Sequence, residues 1–213
     1  LKYLSREVGE RSEKFRNNFN AIGKIDLVLA KLRQAKNSDS KPPNIVKDHK
    51  IVITNGRHLK TEEVLSKKHK RYTAVSIKLD RPATSITGAN MGGKTVTLKM
   101  IGQIACAVAL ALYVPAEACT IGLSGKIFVS IGDEQSVEKG LSTFGAEIQN
   151  LVKAFNHVDE RCLILIDELA GGTNPIEGFA ITKSIIDYLS DKHSISVITT
   201  HFDKAAGIDV QKL

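Results

Sequence analysis

Two short segments carry side chains suited to work on a phosphate anhydride. Gly88-Ala89-Asn90-Met91-Gly92-Gly93-Lys94-Thr95 matches G-x-x-x-x-G-K-[ST] in full. Glycines at such positions let successive backbone N–H groups turn inward around phosphate oxygens. A helix starting at the end of the loop adds positive potential. The pattern assigns Lys94 to the β- and γ-phosphates and the Thr95 hydroxyl to a magnesium ion. The second segment, Leu163-Ile164-Leu165-Ile166-Asp167-Glu168, is four apolar residues ending in two carboxylates. A buried parallel strand delivers such carboxylates to the C-terminal edge of its sheet, beside the phosphate loop. Asp167 is then expected to hold magnesium, directly or through its waters, and Glu168 to orient or deprotonate an attacking water. ATP and Mg2+ are the expected substrate and cofactor.

Two further groups fall into the same scheme. His201 follows the apolar segment Val197-Ile198-Thr199-Thr200, so it should emerge at the same sheet edge, within reach of a γ-phosphate. Ser142-Thr143-Phe144-Gly145-Ala146-Glu147 opens a helical stretch with small and hydroxyl residues. It is either a second anion-binding helix start or an ordinary cap.

The elements that position these groups follow from periodicity. Leu1, Leu4, Val8, Phe15, Ile22, Ile25, Leu29 and Leu32 form one stripe in steps of three and four, which predicts helix over residues 1–36, bent or divided at Gly23. Asn37-Ser38-Asp39-Ser40-Lys41-Pro42-Pro43 reads as a linker. Beyond it, apolar runs at Ile51–Thr54, Ala74–Leu79, Thr84–Thr87, Lys126–Ile131, Leu163–Ile166 and Ser196–Thr199 alternate with helical stretches at Lys94–Tyr113, Thr143–Val158 and Pro175–Leu189. That alternation predicts an α/β domain with a mostly parallel sheet flanked by helices.

Composition excludes several classes. Hydrophobic residues make up 42% and charged residues 25%, so the chain is neither disordered nor fibrous. The longest apolar run, Ile104 to Val114, is well short of the roughly 20 residues that span a bilayer, so no membrane partner is expected. Three cysteines, Cys106, Cys119 and Cys162, form no CxxC pair, which suits a reducing, cytoplasmic setting. The net charge of +7 is uneven: residues 1–80 hold 19 Lys/Arg against 9 Asp/Glu, and the remainder is net acidic. The basic part is either a nucleic-acid-facing surface or a solvated one. Aromatic residues at 5%, with no Trp, argue against a base-stacking platform for single strands.

The loop Thr87-Gly88-Ala89-Asn90-Met91-Gly92-Gly93-Lys94-Thr95 resembles the phosphate loop of the MutS family of DNA mismatch-repair ATPases, T-G-x-N-M-G-G-K-[ST]. The resemblance continues, in the family's order, through Gly56-Arg57-His58, Val114-Pro115-Ala116, Ser142-Thr143-Phe144, Asp167-Glu168-Leu169, Gly172-Thr173 and Thr200-His201. Ile131-Gly132-Asp133-Glu134-Gln135-Ser136 and Thr173-Asn174-Pro175-Ile176-Glu177-Gly178 are more similar to the second bacterial branch, associated with recombination control. Gly171 stands where the mismatch-recognising branch usually carries Arg.

This resemblance implies a P-loop NTPase of the ABC-ATPase type over residues 45–213, with residues 1–44 as the end of a helical lever and a linker. The bottom-up alternative for residues 1–36 is a helix packed on the sheet. It implies nucleotide contacts from Gly88 through Gly93, Lys94, Thr95 and Val96, and Tyr72 stacked on adenine. Tyr72 could equally be a strand aromatic in the core. It places Gln135 in a metal- and water-sensing loop and lets Ser142 approach, in trans, the γ-phosphate bound by the second subunit of a homodimer. The implied activity is ATP binding and hydrolysis that open and close a dimer gripping double-stranded or branched DNA, with the clamp and dimerising parts outside these residues. The alternative is a nucleotide-switched dimerisation module that acts on a protein partner with negligible hydrolysis.

Overall fold

The computed structural model describes residues 2–88, 93–131, 142–169, 174–192, 194–200 and 210–212, with the backbone alone at 142–147, 150, 175 and 210–212. The chain divides into a helical unit, residues 1–40, and an α/β unit, residues 41–213. In the first unit, α1 (Lys2–Glu10) and α2 (Ser12–Asn37) are interrupted at Arg11, where φ is −108° and ψ 7°. The i,i+4 pairs Arg6–Glu10 and Arg11–Glu7, at 3.0 and 3.2 Å, flank that break. Gly23 does not divide the helix, contrary to expectation, because α2 runs through it. The apolar stripe is solvent-exposed along both helices, from Leu4 and Val8 to Leu29 and Leu32.

The second unit contains two sheets. Strands β1 (Asn44–Val46), β2 (Ile51–Gly56), β3 (Val75–Leu79) and β5 (Ala118–Gly122) form a mixed sheet in the order β1-β5-β2-β3. Strands β4 (Ala83–Thr87), β6 (Lys126–Ser130), β7 (Cys162–Ile166), β8 (Ile195–Thr199) and β9 (Val210–Lys212) form a parallel sheet in the order β6-β7-β8-β4-β9. Every residue of β4, β7 and β8 is buried. A strand covered on both faces needs apolar or small residues at every position, which is why these three stand out in the sequence.

Alternation along those strands builds two cores. Leu163, Leu165, Ile195 and Val197 pack with Leu98, Ile101 and Ile104 of α4 (Lys94–Ala109) and with Ile51, Ile53 and Ile77 of the mixed sheet. Cys162, Ile164, Ile166 and Ile198 pack on the other side with Leu151 of α5 (Ser142–Phe155) and with Ile186 and Leu189 of α6 (Pro175–Ser190). The parallel sheet is thus clamped between helices on both faces. All three cysteines are free, with Cys106 exposed. No helix among the described residues is long and apolar enough to cross a membrane.

Three local differences from expectation have physical causes. Helix α4 stops at Ala109 rather than Tyr113. Leu112 N–H reaches back to Ala107 O at 2.8 Å while Ala111 takes φ 52°, a Schellman-type end without its usual glycine. Helix α3 (Leu59–Lys67) gives no apolar run because its apolar residues, Leu59, Val64 and Leu65, stand among polar ones and none of its residues is buried. Strand β5, Ala-Cys-Thr-Ile-Gly, buries Cys119 and Ile121 with a half-buried threonine between them, so it shows no continuous apolar run.

Gly56, at the end of β2, allows a close approach to α4. A Cβ built there would stand 2.5 Å from Met100 Sδ and 2.6 Å from Ile53 Cγ2, and both of those side chains are buried. Gly56→Ala is expected to cost about 1–3 kcal/mol by overpacking. Urea unfolding of the two proteins measures it directly, and an unchanged midpoint would show that Met100 can swing away.

Candidate functional site

The parallel sheet sets the geometry of the site. Because β4, β7 and β8 all run the same way, their C-terminal ends share one edge. Gly88, with φ 147°, follows β4, and Gly93, with φ 85°, caps α4 without a side-chain bond. Only glycine takes such angles freely. Residues 89–92 between them, Ala89, Asn90, Met91 and Gly92, lie outside the described residues.

The first turn of α4 carries no acidic residue, so its unpaired N–H groups and helix dipole favour an anion. Lys94 is buried, and its Nζ donates to the Gly88 carbonyl at 2.5 Å, which ties the two ends of the loop together. Thr97 Oγ1 donates to Gly93 O at 3.0 Å and steadies the same turn. Thr95 and Val96 are half-buried beside it.

The carboxylates leave β7 at the same edge. The Asp167 N–H bonds to Ser130 O at 2.8 Å, which carries the β6–β7 ladder one residue further. Asp167 is half-buried, whereas Glu168 is exposed and takes φ 49°. A non-glycine residue in that region marks strain, which collects at functional positions.

Strand β8 separates β7 from β4, and its last residue, Thr199, links the two carboxylate residues. The Thr199 hydroxyl donates to Asp167 Oδ1 at 2.5 Å and accepts the Glu168 N–H at 2.8 Å. In the sequence Thr199 reads only as part of an apolar strand. Its one local signal is a Thr-Thr pair at the strand's end.

Tyr72 is not in a strand. It is half-buried ahead of β3, and its hydroxyl accepts the His58 N–H at 3.0 Å. His58 caps α3 by accepting from Thr61 N–H at 3.3 Å, and the Leu59 N–H reaches Gln103 of α4 at 3.3 Å. Burial, then the Lys99 and Lys60 charges, holds the His58 imidazole below its ordinary pKa, which suits a neutral acceptor. Arg57 closes the turn on Glu62 at 2.9 Å. The segment Gly56-Arg57-His58 therefore anchors Tyr72 to α4. Ser142 is the first residue of α5, where the backbone alone is described, and Gln135 and His201 lie outside the described residues.

Thr95 and Asp167 offer hard oxygen donors, the kind magnesium takes. Among the described residues no three His, Cys, Asp or Glu side chains converge. A cation on the Thr95 and Asp167 oxygens would therefore share its shell with water and a bound polyphosphate.

Comparison with known proteins is consistent with this geometry. Residues 84–212 match MutS domain V. Similar proteins include Endonuclease MutS2 of Acetivibrio thermocellus, 37% identical over 206 residues that cover 94% of this chain and 25% of that protein. Endonuclease MutS2 of Ligilactobacillus salivarius is 37% identical over 212 residues, 98% of this chain and 26% of its own length. That of Clostridium kluyveri is 38% identical over 203 residues, 94% of this chain and 25% of its own length. The chain spans about a quarter of the length of these curated relatives.

Proposed function

The chain belongs to the MutS family by its domain V, in the second branch rather than the mismatch-recognising one, and we propose that it hydrolyses ATP to ADP and phosphate. Residues 45–213 act as the ATPase domain, with the P-loop NTPase fold of the ABC type, and residues 1–44 as the end of a lever and its linker. The reading is carried by the arrival of Lys94 and of the Asp167–Glu168 pair at one edge of one parallel sheet.

In this reading the backbone from Gly88 to Val96 cradles the phosphates. Lys94 exchanges the Gly88 carbonyl for β- and γ-phosphate oxygens. Thr95 and Asp167 hold magnesium, which when bound offsets charge on those oxygens. Glu168 takes a proton from water as its oxygen bonds to the γ-phosphorus and the bond to ADP breaks. The proton then passes to the released phosphate or to bulk water. His201 is assigned to the γ-phosphate and Gln135 to the sensing of the metal and its water, Tyr72 stacks on adenine, and Ser142 completes the site of a second copy. Closure of that homodimer moves a grip on double-stranded or branched DNA, through parts of the longer relatives that this chain does not span, in the cytoplasm.

The test is phosphate release from ATP and Mg2+ by the 213-residue chain at rising protein concentration. Turnover per subunit should increase with concentration, because a lone subunit leaves one side of the γ-phosphate open to water and less well neutralised. A rate independent of concentration would remove Ser142 and the shared site. ATP binding without phosphate release would instead favour a nucleotide-switched dimerisation module.

A further inference from the structure

We infer that Thr199 is a positioning residue for both carboxylates, orienting the Asp167 side chain and holding the Glu168 backbone through one hydroxyl group. The inference rests on the ATPase reading and names a residue that reading does not require. Because β8 lies between β4 and β7, no main-chain ladder joins the phosphate-loop strand to the carboxylate strand. Thr199 stands level with Ile86 of β4, and its neighbour Ile198 pairs with Ile166 of β7, so its side chain emerges where β7 ends in Asp167.

The polarity of the two bonds is fixed by chemistry. An ionised carboxylate only accepts and a backbone N–H only donates, so the hydroxyl proton goes to Asp167 Oδ1 and the oxygen lone pair to the Glu168 N–H. Thr199 is fully buried, so neither bond competes with water and each strengthens the other. Its β-branched carbon restricts χ1, which holds the oxygen in one place. One Asp167 oxygen is thereby committed and the other remains for a hard cation. The φ of 49° at Glu168 is sustained at the same point, so the exposed carboxylate starts from a backbone that a neighbouring strand holds in place.

A buried threonine that merely fills its strand would tolerate valine, which has nearly the same shape. The experiment compares the chain with Thr199→Val, Thr199→Ser and Thr199→Ala. Three readouts are followed: kcat and KM for ATP, melting temperature, and hydrogen exchange at the Glu168 amide by NMR. Thr199→Val should lower kcat by roughly 10- to 100-fold, the loss expected for a hydrogen bond to a charged group, with KM within about threefold. Its Glu168 amide should exchange at least about tenfold faster, because local opening no longer has to break that bond. Thr199→Ser, which keeps the hydroxyl, should restore both.

If Thr199→Val does not fold, the contrast of Thr199→Ala with Thr199→Ser carries the test. Wild-type turnover and amide exchange in the valine or alanine variant overturn the inference. So does a fall in kcat that serine fails to restore, since that marks a purely structural role. If the unmodified chain hydrolyses no ATP, the ATPase reading fails by itself, and the exchange comparison still decides whether Thr199 holds Glu168.

Discussion

Replacing Lys94 with alanine is expected to weaken ATP binding by about 100-fold or more, the equivalent of losing roughly 3 kcal/mol of charged hydrogen bonding, while leaving the fold intact. The direction follows from where the ammonium lies. Lys94 is 6% exposed, and its described partner is the neutral carbonyl of Gly88. A buried cation compensated by one carbonyl is costly to the empty protein and becomes favourable only when an anion arrives. Removing it should therefore do the empty protein no harm. The melting temperature should stay within about 4 °C of the parent or rise above it. Isothermal titration with ATP and Mg2+, alongside a thermal melt, separates the two effects. A folded variant with undiminished ATP affinity would end the phosphate-loop assignment. A variant that melts far lower would mean that the Lys94–Gly88 bond holds the loop strands together.

What was legible in the sequence was whatever a short local pattern can express. Strands β4, β7 and β8 are buried on both faces, so they appear as runs of apolar or small residues whatever surrounds them. The segment from Gly88 to Thr95 stands out in the sequence because its pattern needs particular residues at adjacent positions. Strand order is not local, and it decides the remainder. Nothing between residues 163 and 200 says that β8 will insert between β7 and β4, so the contact between Thr199 and Asp167, 32 positions apart, has no sequence signal. Threonine is also an ordinary strand residue by propensity. The helical segment misleads for a related reason. Gly23 is tolerated within a long helix at a cost of about 1 kcal/mol, while the break falls at Arg11, two residues after Gly9, so the two glycines of this segment have opposite outcomes. Helix α4 is stopped by Ala111, two residues past its end and in the left-handed region, where glycine would have marked the stop.

Glu168→Gln is expected to reduce turnover by about 10²- to 10⁴-fold, the usual contribution of a positioned general base, with ATP affinity within about threefold of the parent. Glutamine keeps the length and shape of the side chain and loses only its capacity to take a proton. The backbone need not respond, because the φ of 49° is supported by a bond from the Glu168 N–H to Thr199, which no side-chain change at 168 touches. Asp167 keeps its own bond to the same hydroxyl, so its carboxylate stays where it was. Binding and chemistry therefore come apart in this variant. ATP should bind, dimers should close, and the closed state should persist because hydrolysis no longer opens it. Single-turnover phosphate release measures the chemical step, and light scattering with ATP measures the trapped dimer. Unchanged turnover would show that another group activates the water and would favour the nucleotide-switched module. Loss of turnover together with loss of ATP affinity would place Glu168 among the binding residues, because an interaction present in both ground and transition states affects KM rather than the chemical step alone.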